Sequence, residues 1–239
     1  MSAGGLTQDY QVLRRALYMG WEQDVPLAPM LRDATGLPTA VDNDVAAWTE
    51  AERWFGDGRD QPDFALVTTG AGVGYNLVTH GDRASGADVG VGLLGHVPLD
   101  PLGPLCSQGH QGCAEAMLTN GAVAARVSAA LARPVGYAEV LELAASGEPA
   151  ASAAVNASTK AYGRLLALVA NTTFARLIIA SGEGIDLAIT NEALVQAEFA
   201  ANRSPYASQV EILLKAVPFT EWARGAAVVA IQTHLLGRA

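Results

Sequence analysis

Phe64-Ala65-Leu66-Val67-Thr68-Thr69-Gly70-Ala71-Gly72-Val73-Gly74-Tyr75-Asn76-Leu77-Val78-Thr79 is the stretch whose reading decides the fold of this chain. Phe64 to Thr68 and Val73 to Thr79 are apolar, largely β-forming runs of strand length, and Gly70-Ala71-Gly72 supplies the turn between them. A glycine-rich hairpin is expected, with a second turn at His80-Gly81-Asp82. Glycines at alternate positions, Gly70, Gly72 and Gly74, also let a backbone approach a phosphate and present its N–H groups. The stretch is not a P-loop, because no Gly-Lys-Ser/Thr follows, and a tight turn of small residues explains it equally well.

Upstream of the hairpin, Leu37 to Val41 is a short apolar run, followed at once by Asp42-Asn43-Asp44 and a helical stretch, Val45 to Phe55, that stops at Gly56. An Asp between a strand and a helix can accept a proton from a substrate hydroxyl, and an adjacent Asn can both donate and accept. The plainer reading is that one of the three caps the helix. Pro26 and Gly36 bracket a second, short helix. Within Asp9 to Met19, Val12, Leu13, Ala16 and Leu17 share a face at helical spacing, which predicts a further helix ending before Gly20.

Downstream, Ser85 to Gln111 is rich in glycine and proline and too long for a plain connector; loops of this kind carry function. It holds His96, Cys106, Gln108 and His110, with Cys113 just beyond. One imidazole and two thiolates can hold zinc, whose structural sites want four N or S ligands. His110 is a candidate for the fourth at cramped spacing from Cys113, and unliganded side chains are the equal alternative. Beyond Cys113 the pattern is mainly helical: Cys113 to Leu131, Tyr137 to Ala145, and Pro149 to about Ala170. A strand-like run, Arg176 to Ala180, ends in Ser181-Gly182-Glu183-Gly184, and a helix to about Asn202, a strand at Val210 to Ala216 and a helix at Glu221 to Leu236 complete an α/β pattern.

With 239 residues, half of them hydrophobic and 16% charged, the chain has the composition of a packed globule of one large domain or two modest lobes. The most apolar stretch, Leu165 to Ala180, is interrupted by Asn171, Thr172, Thr173 and Arg176 and falls short of the roughly 20 apolar residues of a membrane span. Met1-Ser2-Ala3-Gly4-Gly5 lacks a basic flank and an apolar core, so no signal peptide and a cytoplasmic location are expected. A formal charge of −9 with Lys and Arg scattered singly disfavours direct nucleic-acid binding. In a chain of this size and compartment, the close pair Cys106 and Cys113 points to metal ligation or to no special role rather than to a disulfide.

Four segments in order, Val41-Asp42-Asn43-Asp44-Val45-Ala46-Ala47, Gly70-Ala71-Gly72-Val73-Gly74, Gly92-Leu93-Leu94-Gly95-His96 and Cys106-Ser107-Gln108-Gly109-His110-Gln111-Gly112-Cys113-Ala114-Glu115, resemble the ROK family of bacterial sugar kinases and sugar-responsive repressors. The flanks are similar as well, from Gly20-Trp21 and Val25-Pro26-Leu27 to Trp222-Ala223-Arg224-Gly225-Ala226-Ala227. The resemblance implies a two-lobed, actin-like (ribonuclease H-like) fold, with residues 1–55 and 219–239 in the first lobe and 56–218 in the second. It implies a sugar held by Asn43, Asp44, Gly86, His96 and Glu115 around one pocket, with Asp44 as the general base in kinases of the family. Gly70, Gly72 and Gly74 would face phosphate, and His96, Cys106 and Cys113 would bind zinc.

Departures from the family pattern shape what is expected. Leu93 stands where the family has a sugar-binding Glu, and Gln108 where it has the middle thiolate of Cys-x-Cys-Gly-x-x-Gly-Cys. Ala71 replaces the Thr of Gly-Thr-Gly, Tyr75-Asn76 replace two further glycines, and no Asp-x-Gly-x-Thr precedes Asn43. Because phosphoryl transfer rests on positioning and charge neutralisation of phosphates, these losses argue against ATP and magnesium as working cofactors. The expected protein is an effector-binding, regulator-like member that begins partway through its first lobe, binds no DNA through this segment, and self-associates through an unpaired sheet edge. The alternative is an ATP-dependent hexose or N-acetylhexosamine kinase.

Overall fold

The computed structural model describes residues 1–14, 16, 19–86 and 88–237. The chain opens with β1 (Ser2–Ala3), β2 (Leu6–Gln8) and β3 (Val12–Arg14), the last two an antiparallel hairpin with Thr7 opposite Leu13. The helix expected over Asp9 to Met19 is therefore not formed; its positions 15, 17 and 18 lie outside the described residues. Asp9 and Tyr10 at the turn both have positive φ, 51° and 55°, the requirement of a tight hairpin turn. Leu13 is fully buried and exchanges backbone hydrogen bonds of 2.9 Å with Val25, so strand pairing outcompetes the helical periodicity there.

The helix α1 (Leu27–Thr35) follows Pro26 and ends at Gly36 with φ 70°, the left-handed stop that glycine adopts without strain. Then come β4 (Asp42–Asn43), paired parallel with β1, and α2 (Asp44–Phe55). The expected glycine-rich hairpin is β5 (Phe64–Thr69) and β6 (Val73–Thr79), with a short β7 (Asp82–Arg83) turned back on β6. A single 3₁₀ turn, Leu93–His96, interrupts the long loop.

The helical half contains α3 (Ala114–Leu118), α4 (Asn120–Leu131), α5 (Tyr137–Ala145) and α6 (Pro149–Thr173). What reads as one helix from Cys113 to Leu131 is broken at Thr119, whose extended backbone ends α3 while its hydroxyl accepts from Ala122 N to cap α4. In α6, Pro149 stands in the first turn and Glu148 accepts from Ala151 N, a strong start for a 25-residue helix. Next come β8 (Leu177–Ser181), α7 (Asp186–Thr190), α8 (Glu192–Ala201), β9 (Glu211–Leu214) and α9 (Thr220–His234). Among the described residues, no helix is long and apolar enough to cross a membrane.

The main sheet has the order β7-β6-β5-β8-β9, with β6 and β7 antiparallel and β8 and β9 parallel. Its central strands β5 and β8 are buried along their whole length, which explains their unbroken apolar runs. The chain divides into two compact units: residues 1–66, 75–91 and 217–239, and residues 67–74 with 92–216. In the first, α9 crosses α2 so closely that a Cβ on Gly225 would lie 2.6 Å from the carbonyl carbon of Ala47, and Trp48 and Trp222 meet edge to face at 4.6 Å. A second apolar cluster there gathers Ala3, Leu13, Ala16, Leu27, Ala28 and Val41. In the second unit, Val123, Val127, Val140, Val155 and Leu187 knit α4, α5, α6 and α7 together.

Candidate functional site

In the first unit, the junction of β4 and α2 presents three consecutive polar residues with different fates. Asn43 is the helix cap: its Oδ1 accepts from Ala46 N at 3.0 Å, and its Nδ2 donates to Gly5 O at 3.0 Å. Among the described residues these are its side-chain partners, which leaves one lone pair and one N–H of the amide for a ligand. Asp44, half-buried in the first turn of α2, accepts from Val45 N at 2.8 Å at the positive end of the helix dipole. Gly86 belongs to the same unit, and a side chain there would meet no heavy atom within 4 Å.

Asp42 is the structural member of the three. Its Oδ1 accepts from Asn43 N at 2.8 Å and from Thr7 Oγ1 at 3.0 Å, and its Oδ2 faces Arg83 at 3.1 Å. Arg83 also pairs with Glu50 at 3.2 Å and donates to Tyr10 Oη at 3.3 Å, while Glu50 pairs with Arg53 at 2.8 Å. Burial pushes the Asp42 carboxyl above its ordinary pKa, against the pull of Arg83 and of the two hydrogen bonds it accepts. This network clamps the strand whose next residues are Asn43 and Asp44.

The second unit brings together His96, Cys106, Cys113 and Glu115. A hydrogen bond from Ala114 N to Val97 O, 3.0 Å, and a bridge between Pro98 and Cys113 set the start of α3 beside the 3₁₀ turn that ends at His96. His96 Nε2 lies 3.5 Å from Glu115 Oε2, and Ser107 Oγ donates to Glu115 Oε1 at 2.9 Å. Ligand atoms of His96, Cys106 and Cys113 all lie within 4.8 Å of one another. Burial raises the Cys113 thiol pKa. For Cys106 desolvation acts the same way but is outweighed, chiefly by hydrogen bonding from the backbone of Gln108 and His110, so its pKa is lowered. One imidazole and two thiols converging with a carboxylate behind the imidazole fit a zinc site and its outer hydrogen bond.

Sequence reading left His110 at a cramped distance from Cys113, yet the loop brings its Nδ1 to 3.5 Å from Cys106 Sγ and 3.2 Å from His96 Nδ1. The exposure of Leu93 and the placement of Glu183 had no clear signal. Leu93, at the position of the family's sugar-binding Glu, is 61% exposed. Glu183, in the turn after β8, places its carboxylate against Gly70, where any Cβ would overlap it. The two turns are pressed together, since Gly184 N donates to Thr69 O at 2.8 Å and Gly70 O accepts from Asn120 N at 2.9 Å. Gly70 N closes its own turn on Gly72 O at 3.0 Å.

The sequence pattern of the ROK family matches residues 1–233. The chain belongs to the ROK family. It is similar to the N-acetylmannosamine kinase of Citrobacter koseri, 36% identical over 159 residues that cover 66% of this ROK chain and 53% of that protein. Across three such kinase relatives the chain spans 38% to 63% of their length. Among solved structures, a ROK hexokinase from Thermus thermophilus matches with a TM-score of 0.81 and 25% identity over 97% of this chain and 77% of that one. A ROK transcriptional regulator homologous to Mlc of E. coli matches with a TM-score of 0.78 and 23% identity over 96% of this chain and 61% of that one. The α/β architecture with its mixed sheet is thus the actin-like ATPase fold of ROK sugar kinases.

Proposed function

We propose that this ROK chain binds a monosaccharide as an effector and transfers no phosphoryl group itself, in the manner of an effector-binding segment related to sugar-responsive regulators. The family resemblance assigns sugar contacts to Asn43, Asp44 and Gly86 in the first unit and to His96 and Glu115 in the second, and apart from Gly86 these residues have side chains that carry the donors and acceptors that hydroxyls need. In this reading the protein works in the cytoplasm as a homo-oligomer and touches no nucleic acid through this segment. The observation that carries the non-catalytic half of the proposal is the Glu183 carboxylate seated against Gly70. A phosphate brought to that turn would face a like charge on an exposed side chain, a repulsion of about 1 kcal/mol for unit charges 4 Å apart in water. Ala71 adds no hydroxyl to offset it.

Zinc would be held by His96, Cys106 and Cys113, where it would tie the long loop to the start of α3 and fix the His96 ring that faces Glu115. Its contribution would be structural. The second reading, a sugar kinase using ATP and magnesium, is favoured by Asp44, a half-buried carboxyl group in the first turn of a helix and the position of the family's general base, and by the kinase relatives.

Titration calorimetry against a panel of hexoses and N-acetylhexosamines tests the proposal together with a coupled assay for ADP release. Sub-millimolar heat from at least one sugar, with no sugar-dependent ADP, is the expected result. Sugar-dependent turnover that Asp44→Asn abolishes would establish the kinase reading instead. Absence of heat from every sugar would remove the binding claim.

A further inference from the structure

The geometry points to His110 as the fourth metal ligand, replacing the thiolate that Gln108 cannot supply, so that the centre takes two imidazoles and two thiolates. The assignment goes beyond the sugar-binding proposal and does not depend on whether the chain has turnover. Its starting point is the backbone. Gly109 N donates to Cys106 O at 3.0 Å and Cys106 N donates to His110 O at 3.0 Å, and Leu105 and Gln111 form an antiparallel bridge around them. Gly109 takes φ 84°, a conformation that suits glycine, and so lets the chain reverse inside four residues. The reversal folds His110 back over Cys106 and away from the crowding that its sequence distance from Cys113 suggests.

Distances between ligand atoms carry the assignment. In a tetrahedral zinc site with Zn–N near 2.05 Å and Zn–S near 2.3 Å, the edges are about 3.3 Å for N to N and about 3.6 Å for N to S. The corresponding separations here are 3.2 Å between the Nδ1 atoms of His110 and His96, 3.5 Å from His110 Nδ1 to Cys106 Sγ, and 3.9 Å from His96 Nδ1 to Cys106 Sγ. Two imidazole nitrogens aimed at each other can form one hydrogen bond at most, and only when one of them is protonated; a cation between them and the Cys106 thiolate takes a lone pair from each, and the Cys113 thiol lies within 4.8 Å of the His96 and Cys106 ligand atoms. The remaining nitrogen of His96 faces Glu115 Oε2 at 3.5 Å, the outer carboxylate that metal-bound imidazoles commonly have. Gln108 N points at Cys106 Sγ at 3.4 Å, so residue 108 contributes its backbone N–H to the thiolate. His110 therefore makes up for the substitution at 108 on the same turn.

The 239-residue chain, stripped with a chelator and reloaded with zinc or cobalt alone, tests this. Zinc should bind one per chain, and zinc K-edge absorption of the unaltered protein should show two imidazole rings and two sulfurs. Competition with a chromophoric chelator should find zinc bound at least on the order of 100-fold more weakly by His110→Ala, the upper end of what loss of an outer-shell partner costs. Adding Gln108→Cys to that variant should recover most of the loss and shift the cobalt spectrum toward stronger sulfur charge transfer. One imidazole in the absorption data, equal zinc affinity of wild type and His110→Ala, or no zinc bound by the unaltered protein would each overturn the assignment. The absorption measurement needs no variant and stands even if His110→Ala misfolds.

Discussion

Asp42 shows how one residue's burial becomes a pH dependence. Its carboxyl is 3% exposed and its pKa is raised by desolvation, so between the unfolded value near 4 and the higher folded value the native state holds more protons than the unfolded one. The sign follows: the contribution of Asp42 to stability is fully present below about pH 4 and is lost as pH rises through the folded pKa. Asp42→Asn turns an amide N–H toward Arg83, so the variant is expected to be less stable at every pH, with a deficit largest in acid and shrinking toward neutrality. Thermal melts of both proteins from about pH 4 to 7 would show this, and a deficit that grows with pH would contradict it. At this scale the sequence disclosed which residue types matter more readily than what each one does. Asn43 and Asp44 are adjacent letters of one motif, yet only the tertiary structure shows Asn43 as the helix cap bonded to Ala46 N and Gly5 O and Asp44 accepting from Val45 N. Glu183 carried no local signal, because its meaning comes from Gly70, a residue on a different turn.

Elements with strong local punctuation were legible. Pro26 and Gly36 bracket α1 as read, and the glycine-rich hairpin and the Tyr137–Ala145 helix appear where their patterns place them. The hairpin of β2 and β3 was missed because its tight turn puts Asp9 and Tyr10, not glycine, at positive φ, and the split at Thr119 because a hydroxyl cap looks like any other residue in an alanine-rich run. The contact of α2 and α9 gives a prediction that separates two glycines of similar sequence context. Gly225→Ala pushes a methyl into the backbone of Ala47 and Trp48, which cannot yield, and should cost about 1–3 kcal/mol in denaturant unfolding. Gly121→Ala in α4 meets nothing within 4 Å and should be neutral or stabilising by up to about 1 kcal/mol. Equal effects of the two changes would mean that the close helix crossing is not formed.

At the scale of the whole molecule, several large apolar side chains face solvent in each unit, among them Leu102 at 90% and Leu105 at 69% in one and Phe219 at 78% and Leu235 at 77% in the other. Such surface favours association, and sedimentation of the purified chain is expected to find a species heavier than the 24.7 kDa protomer. A stable monomer at high concentration would count against it. The sequence by itself determined the family, the α/β class and most helix boundaries, since these rest on motif order, hydrophobic period and local stop signals that act within a few residues of each other. Only the tertiary structure decided that His110 returns to Cys106 and His96, that Glu183 sits on Gly70, and that Asp42 is the clamp beneath Asn43 and Asp44. Those facts depend on turns and strand pairings that bring distant residues within a few ångströms, and no spacing along the chain encodes such distances.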